Sequence, residues 1–151
     1  MGEGEGGSGM RRFVLEFERG GAFQAELLED LAPKTCRAFW DLLPLRQKVG
    51  HAKFSGHVLY IFPGMDIVEM ENSRCIGVLP GEILFNPHVT NQPAHPKEMM
   101  IVYGPALPRD AFGYAPSNLF ARISADIEEL KKIGKRIDEE GREYVEIHRL
   151  E

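Results

Sequence analysis

The stretch RRFVLEFERGGAFQAEL, residues 11–27, contains the strongest structural signal in the sequence. Phe13, Leu15 and Phe17 occupy every second position, so they fall on one face of an extended strand. The Gly-Gly pair at residues 20–21 tolerates the positive φ angles of a tight turn. After the turn, the alternation returns at Phe23, Ala25 and Leu27. This pattern predicts an antiparallel β-hairpin whose apolar face begins the core.

A change of period after the hairpin predicts a helix over residues 31–44. Its apolar side chains have the helical spacing i, i+3, i+4 and i+7, at Cys36, Phe39, Trp40 and Leu43. Pro33 suits the first turn of a helix, where its missing N–H is not needed, and Pro44 ends the helix. We expect Cys36 to be a core residue and not a reactive thiol.

The middle of the chain contains short apolar runs separated by turns rich in Pro, Gly and Asn. They predict strands at residues 48–54, 57–62, 75–79, 82–85, 98–103 and 118–123. Residues 104–117 include prolines and glycines without any period, which predicts a long surface loop of the kind that often carries function. Many short strands with few helices favour a barrel or a sandwich.

The C-terminal region predicts one more helix and one more strand. Asp126 and Glu129 have the spacing of a capping box, which would begin a helix over residues 127–133. Gly134 would end that helix. Residues 138–142 are charged and predict a turn, after which alternating apolar residues predict the last strand.

Length and charge limit the classes of protein to consider. The chain has 151 residues, and its net charge of −5 is the opposite of what a nucleic-acid-binding surface needs. No apolar run approaches the ~20 residues that span a membrane, and no secretory signal pattern begins the chain. We therefore expect a cytoplasmic protein without nucleic-acid or membrane partners. The basic run at residues 131–136 follows an acidic turn and is best explained as a solvated helix face.

Composition divides the chain into a short tail and one domain. Residues 1–10 are rich in Gly and Glu and have almost no apolar side chains, which predicts a flexible tail. The remaining residues, 11–151, have the length of a single domain. Cys36 and Cys75 lack the spacing of a zinc site, and neither His51 with His57 nor His88 with His95 falls on one face of a regular element. We expect no metal and no other cofactor.

Three landmarks in the sequence occur in the order found in cyclophilins. The first is LAPKT at residues 31–35, which opens a helix containing Phe39 and resembles the APKT…F entry to the first cyclophilin helix. The second is VLYIFPGM at residues 58–65, which resembles the strand that ends in IIPGF. The third comprises NLFARI at residues 118–123, IEEL at 127–130 and YVEIHRLE at 144–151, which resemble the VFGKV strand, the second helix and the final strand.

The resemblance implies an all-β fold, a closed eight-stranded antiparallel barrel capped by two short α-helices. A barrel of that size is filled by its own side chains, which agrees with the many Phe, Leu, Ile and Met residues. The chain resembles the small prokaryotic cyclophilin-like proteins of unknown function more than the isomerases themselves. The PGEI hairpin at residues 80–83 carries that part of the resemblance.

The two polar residues that assist catalysis in cyclophilins are absent from the matching positions. The resemblance implies an arginine before the Pro-Gly turn and a glutamine after it, whereas this chain has Tyr60 and Val68 there. A phenol lacks the charge and the forked donors of a guanidinium, and electrostatic complementarity is usually the largest catalytic term. The substitutions argue against efficient isomerase activity, unless Arg109 or Arg122 supplies the cation from elsewhere in the groove.

An apolar groove remains as the candidate ligand site. Its candidate residues are Tyr60, Met65, Phe85, Asn86, His88, Tyr103, Phe112 and Arg122. For Met65 and Phe85 the alternative is a place in the barrel core, and a core position is as consistent with Tyr60 as a binding role. Residues 85–96 are rich in amides and imidazoles that suit a carboxylate or amide ligand, although turns and solvated histidines explain the same composition.

The sequence leaves three functional hypotheses open. The first is a non-catalytic protein that holds a small molecule or an extended peptide in this groove. The second is a weak or divergent peptidyl-prolyl isomerase in which Tyr60 donates a hydrogen bond. The third is a homo-oligomer assembled through the outer strands, with a groove that no longer functions. The sequence does not determine the oligomeric state.

Overall fold

The strands and helices of the computed structural model form an antiparallel barrel. The structure describes residues 10–67, 69–87, 97–110 and 113–151. The strands are β1 (Arg12–Phe17), β2 (Ala22–Leu27), β3 (Leu45–His51), β4 (Gly56–Ile61), β5 (Glu82–Phe85), β6 (Met99–Ala106), β7 (Arg109–Asp110), β8 (Gly113–Tyr114), β9 (Asn118–Ile123) and β10 (Glu143–Leu150). The α-helices are α1 (Pro33–Leu42) and α2 (Ile127–Glu140), and Lys53–Ser55 forms a 3₁₀ turn. Within the described ranges, no helix is both long enough and apolar enough to cross a membrane.

Eight strands close the barrel in the order β1-β10-β3-β4-β6-β5-β9-β2. All neighbouring pairs are antiparallel, and the predicted β1–β2 hairpin places Leu15 opposite Phe23. Strands β7 and β8 form a separate two-stranded sheet. The prediction of a closed eight-stranded antiparallel barrel with two helices is confirmed.

Alternation along the strands divides the apolar side chains between two clusters. The inward-facing set fills the barrel and includes Phe13, Leu15 and Phe17, none more than 5% exposed. The second cluster lies on the outer surface of four adjacent strands, β4, β6, β5 and β9, which we call the outer face. Its buried members are Ala52, Val58, Val78, Leu84, Met100, Val102 and Leu119. Both surfaces of these four strands are therefore apolar and largely covered.

Helix α1 packs on the barrel through Cys36 and Phe39, as its period predicts. The Phe39 ring meets Phe13 and Phe120 edge-on, with centroids 4.9 and 5.2 Å away. Ala32 at the N-cap has no capping side chain, and Glu71 accepts backbone hydrogen bonds from the first turn instead. This contact also anchors the segment that leads to β5.

Helix α2 is longer than the sequence indicates, because Gly134 lies in its middle. The helix continues to Glu140, so the expected turn over residues 138–142 begins only after that residue. Its buried stripe of Leu130, Ile133 and Ile137 spans the glycine. Burial of this stripe outweighs the roughly 1 kcal/mol that a mid-helix glycine costs relative to alanine.

The capping box predicted for α2 is also absent. Asp126 has a left-handed backbone with φ of 59°, and its side chain makes no capping hydrogen bond. An N-cap residue normally has an extended backbone, from which its side chain reaches the first turn. The acidic first turn, Glu128 and Glu129, is present and complements the helix dipole.

Two further predictions about connecting segments were wrong. Residues 75–79 form isolated bridges and no strand. Residues 104–117 are not a loop throughout, because β6 extends to Ala106 and β7 pairs with β8. The extension of β6 depends on its pairing with β4, where Ala106 lies opposite Gly56. That pairing joins residues distant in sequence and leaves no local signal.

Candidate functional site

A pocket with a volume of about 470 Å³ opens at the end of the barrel, between helix α2 and the ends of β4 and β6. We call it the barrel-mouth pocket. Strands β4 and β6 contribute His57, Tyr103, Gly104 and Pro105, and helix α2 contributes Lys131, Lys135, Asp138 and Glu139. Aromatic surface on one side and both signs of charge on the other give the pocket a mixed character.

Two glycines make room for the aromatic rings of this pocket. A Cβ atom on Gly134 would lie 2.5 Å from the Tyr103 ring, so the helix approaches that ring with its bare backbone. A Cβ atom on Gly104 would lie 3.0 Å from His57. The Tyr103 ring packs edge-on against His51 and His57, with centroids 5.6 and 5.3 Å away. The absence of two side chains thus determines the shape of the pocket.

A chain of polar side chains runs behind the pocket wall. The Tyr103 hydroxyl lies 2.6 Å from His51 Nε2, and His51 Nδ1 lies 3.9 Å from Asp138 Oδ1. Lys53 Nζ forms an ion pair with the same carboxylate oxygen at 3.1 Å. The His51 side chain is only 8% exposed. His51 Nδ1 is buried without a hydrogen-bond partner among the described residues, whereas Asp138 Oδ1 has Lys53 as its ion-pair partner.

The electrostatics favour one protonation state for this chain. Burial lowers the pKa of His51, and burial raises the pKa of Tyr103. The hydrogen bond from Lys53 lowers the pKa of Asp138. A neutral imidazole facing a carboxylate carries its proton on Nδ1, so Nε2 accepts the hydrogen bond from the phenol. At neutral pH Tyr103 is therefore a phenol, His51 a neutral imidazole and Asp138 a carboxylate. This arrangement can accept a proton or a hydrogen bond.

Tyr60 lies apart from this pocket, on the outer face. Its ring packs against Gly50, where a Cβ atom would lie 2.8 Å away, and its centroid is 5.4 Å from that of Phe62. Arg142 Nη2 donates a hydrogen bond of 2.8 Å to the Tyr60 hydroxyl. A guanidinium therefore lies beside Tyr60, and it comes from the turn before β10 and not from Arg109 or Arg122.

The remaining candidate residues from the sequence lie in different environments. Met65, Phe85 and Tyr103 are in the barrel core, with Tyr103 at its mouth, and Asn86 is buried. Arg122 forms an ion pair of 3.3 Å with the buried Glu82 on the outer face. The structure thus does not gather these side chains into one groove around Tyr60. His88 and Phe112 lie outside the described residues, as do Val68 and His95.

Sequence reasoning missed His51 and Asp138 as parts of a site. The sequence points to His51 only as a possible metal ligand with His57, at a spacing that does not suit a metal, and it predicts a turn at Asp138. No sequence motif links Tyr103 to these two residues, because they lie on β3, β6 and α2 and meet only through strand register and helix docking. In the part of the chain that the structure describes, no group of three or more His, Cys, Asp or Glu side chains could hold a metal ion.

Solved structures with the same fold include a cyclophilin. The structure of a Cryptosporidium parvum cyclophilin-type peptidyl-prolyl cis-trans isomerase in the presence of the dipeptide Ala-Pro has a TM-score of 0.60 and 14% identity. That match covers 93% of this chain and 99% of the isomerase. The solution structure of a hypothetical protein from Archaeoglobus fulgidus has a TM-score of 0.66 and 23% identity, and the match covers 96% and 99% of the two chains.

A third similar structure, of McbB in complex with tryptophan, has a TM-score of 0.70 and 19% identity. The match covers 91% of this chain but only 44% of McbB, so this chain spans less than half the length of that protein. These likenesses show the cyclophilin-like fold that the sequence landmarks imply. No curated protein matches the sequence. A family model does match residues 16–148, and the chain belongs to that family, DUF3830, which is described as a protein of unknown function.

Proposed function

We propose that the protein is a cyclophilin-like barrel that binds a small molecule and does not efficiently catalyse prolyl isomerisation. The barrel-mouth pocket carries the proposal. Its volume of about 470 Å³ lies within the roughly 300–1,000 Å³ of small-molecule sites. The pocket combines ring surface from His57 and Tyr103 with charged groups from α2, and such sites use a few polar groups to orient a ligand.

A structural neighbour supports a small ligand over a large one. McbB, of which 44% matches this chain, was solved in complex with tryptophan. A protein that contains a barrel of this shape therefore binds a ligand the size of an amino acid.

The residue at the isomerase arginine position argues against strong catalysis. Tyr60 already accepts a hydrogen bond from Arg142, and its phenol offers no positive charge to a twisted proline amide. On the neighbouring strand β6, Met100 lies opposite Tyr60, and Met100 is fully buried. A proline peptide on the outer face would therefore find few of the polar groups that isomerisation uses.

Weak isomerase activity is the second candidate, and one contact favours it. Arg142 brings a guanidinium to within 2.8 Å of the Tyr60 hydroxyl, beside the position at which the resemblance implies an arginine. In this alternative an extended peptide lies along the outer face, Arg142 stabilises the twisted amide, and Tyr60 orients Arg142.

One NMR experiment tests both candidates. The protein is mixed with a short Ala-Pro peptide and, separately, with a panel of small metabolites, and both peptide exchange and protein amide shifts are recorded. We expect no catalysed cis/trans exchange, and saturable shifts at Gly104, Gly134 and Lys135 with at least one metabolite.

Catalysed exchange that disappears in Arg142→Met would replace binding with isomerisation as the function. Saturable shifts confined to residues around Tyr60 would move the ligand site to the outer face. A complete absence of saturable shifts would overturn the binding proposal.

A further inference from the structure

The charges around the barrel-mouth pocket are separated by sign along one face of α2. Lys131 and Lys135 are four residues apart, and Asp138 and Glu139 follow on the next turn, so all four project to the same side. Because a helix rises 1.5 Å per residue, Lys135 and the two acids are about 5 Å apart along its axis. A ligand in the pocket therefore meets a cationic half and an anionic half at close range.

These charges are available to a ligand. Among the described residues, Lys135 and Glu139 form no ion pair. Lys131 pairs at 3.1 Å with Glu128, whose side chain is 83% exposed, and solvated pairs of this kind stabilise a protein little. Exchange of such a partner for a ligand carboxylate costs little.

In the anionic half of the pocket, Asp138 also contacts the polar side chains behind the pocket wall. Asp138 Oδ1 lies 3.9 Å from His51 Nδ1 and forms an ion pair of 3.1 Å with Lys53 Nζ, whose side chain is 73% exposed. A pair with so solvated a lysine stabilises the protein little, so a ligand ammonium, which supplies three donors, can take the place of Lys53 at low cost. Opposite the helix, His57, Tyr103 and Pro105 offer ring and apolar surface for the rest of the ligand.

We infer that the pocket takes a small zwitterion, of the class of free amino acids with an apolar or aromatic side chain. The ligand ammonium pairs with Asp138, its carboxylate pairs with Lys135 and Lys131, and its side chain lies against the rings of His57 and Tyr103. This inference rests on the proposed binding function and names its ligand class. A ligand with one charge is repelled by the half of the pocket that carries the same sign, so both charges are needed for tight binding.

Titration calorimetry on the wild-type protein tests the class with three matched probes. L-Phenylalanine carries both charges, phenethylamine lacks the carboxylate, and 3-phenylpropionate lacks the ammonium. We expect phenylalanine to bind at least tenfold more tightly than either analogue. Equal affinity for one analogue, or no binding of phenylalanine, would overturn the inference. Saturable binding of another metabolite at the same pocket would then leave the proposed function intact.

Three variants locate the two contacts. Asp138→Asn should weaken the binding of phenylalanine and phenethylamine at least fivefold and leave the binding of 3-phenylpropionate unchanged. Lys135→Met should weaken the binding of phenylalanine and 3-phenylpropionate. Lys132→Met is the matched control, because Lys132 lies on the same helix outside the pocket and pairs with Glu129. If the control weakens phenylalanine binding as much as Lys135→Met, general helix charge and not the pocket is responsible, and the inference fails. Amide spectra of each variant check that it is folded.

Discussion

The polar side chains behind the barrel-mouth pocket include one buried imidazole, that of His51. Burial lowers the pKa of His51 in the folded protein below its ordinary value of 6.5. In the unfolded chain the same imidazole is solvated and takes up a proton near pH 6.5. The unfolded state therefore binds more protons below that pH, and the protein loses stability as the pH falls from 6.5 towards the lower folded pKa.

Replacement of His51 by glutamine should remove this part of the pH dependence. One such group changes the free energy of unfolding by at most about 1.4 kcal/mol per pH unit. Urea unfolding at pH 7.5 and pH 5.5 should therefore give a smaller difference in stability for His51→Gln than for wild type. His148→Gln is the control, since His148 is 43% exposed on β10. Equal pH dependence in wild type and His51→Gln would contradict the assignment.

A glycine is needed at position 134 because the Tyr103 ring leaves no room for a side chain, and not because the helix requires a glycine there. Alanine at this position would favour the helix by about 1 kcal/mol, but its Cβ would lie 2.5 Å from the Tyr103 ring. Overpacking of this kind typically costs about 1–3 kcal/mol, so we expect Gly134→Ala to destabilise the protein by about 1 kcal/mol in chemical denaturation. In a Tyr103→Leu background the same Gly134→Ala substitution should no longer destabilise the protein, because the atoms that clash are gone. A more stable Gly134→Ala protein would show that the ring moves aside freely.

Helix α2, strand β10 and the β1–β2 turn are joined through one buried carboxylate. Glu143, with a side chain 1% exposed, accepts hydrogen bonds from Arg136 at 2.9 Å and from the backbone and side chain of Arg19 at 3.0 Å. Burial raises the pKa of Glu143, but the hydrogen bonds from both arginines outweigh it and hold the pKa below its ordinary value. The carboxylate thus stabilises the fold above pH 4.5, and this stability is lost as the pH falls through the lower folded pKa.

Glu143→Gln should loosen the docking of α2. Loss of the buried charge leaves two guanidinium groups without their partner, and we expect a loss of about 3 kcal/mol at pH 7 in urea unfolding. The loss should shrink towards acidic pH, where the wild-type carboxylate becomes protonated. Glu140→Gln is the matched control, because Glu140 pairs with the same Arg19 but is 60% exposed, and its loss should be within about 1 kcal/mol. Similar effects of the two substitutions would exclude a special role for Glu143.

The reactivities of the two cysteines distinguish local exposure in the folded protein from global unfolding. Cys36 is fully buried, and burial raises the pKa of its thiol to about 12, whereas Cys75 is partly exposed in the segment before β5. We expect a thiol reagent at pH 8 to label Cys75 rapidly and Cys36 only as fast as global unfolding allows. Cys75→Ser should remove the fast phase alone. Rapid labelling of Cys36 in folded protein would show that α1 detaches from the barrel independently.

Much of the barrel was predictable because its signals are local. Alternation in β1 and β2, the Gly-Gly turn and the period of α1 each act within a few residues, and the structure has all three. The length of α2 was mispredicted because the burial of Ile137, which carries the helix past Gly134, depends on the barrel beneath it. Local propensity contains no information about that surface.

The alternating strands, the turns and the absence of an arginine at position 60 can be read from short stretches of sequence, because each depends on residue identity or on a period of two. Which side chains share a site depends instead on how the strands pair and where the helices dock. His51, Tyr103 and Asp138 come together because β4 pairs with both β3 and β6 and α2 lies across the end of the barrel. Arg142 reaches Tyr60 across the same sheet. These contacts join residues far apart in the chain, and the free energy that forms them comes from closing the barrel and burying α2, which no short stretch of sequence encodes.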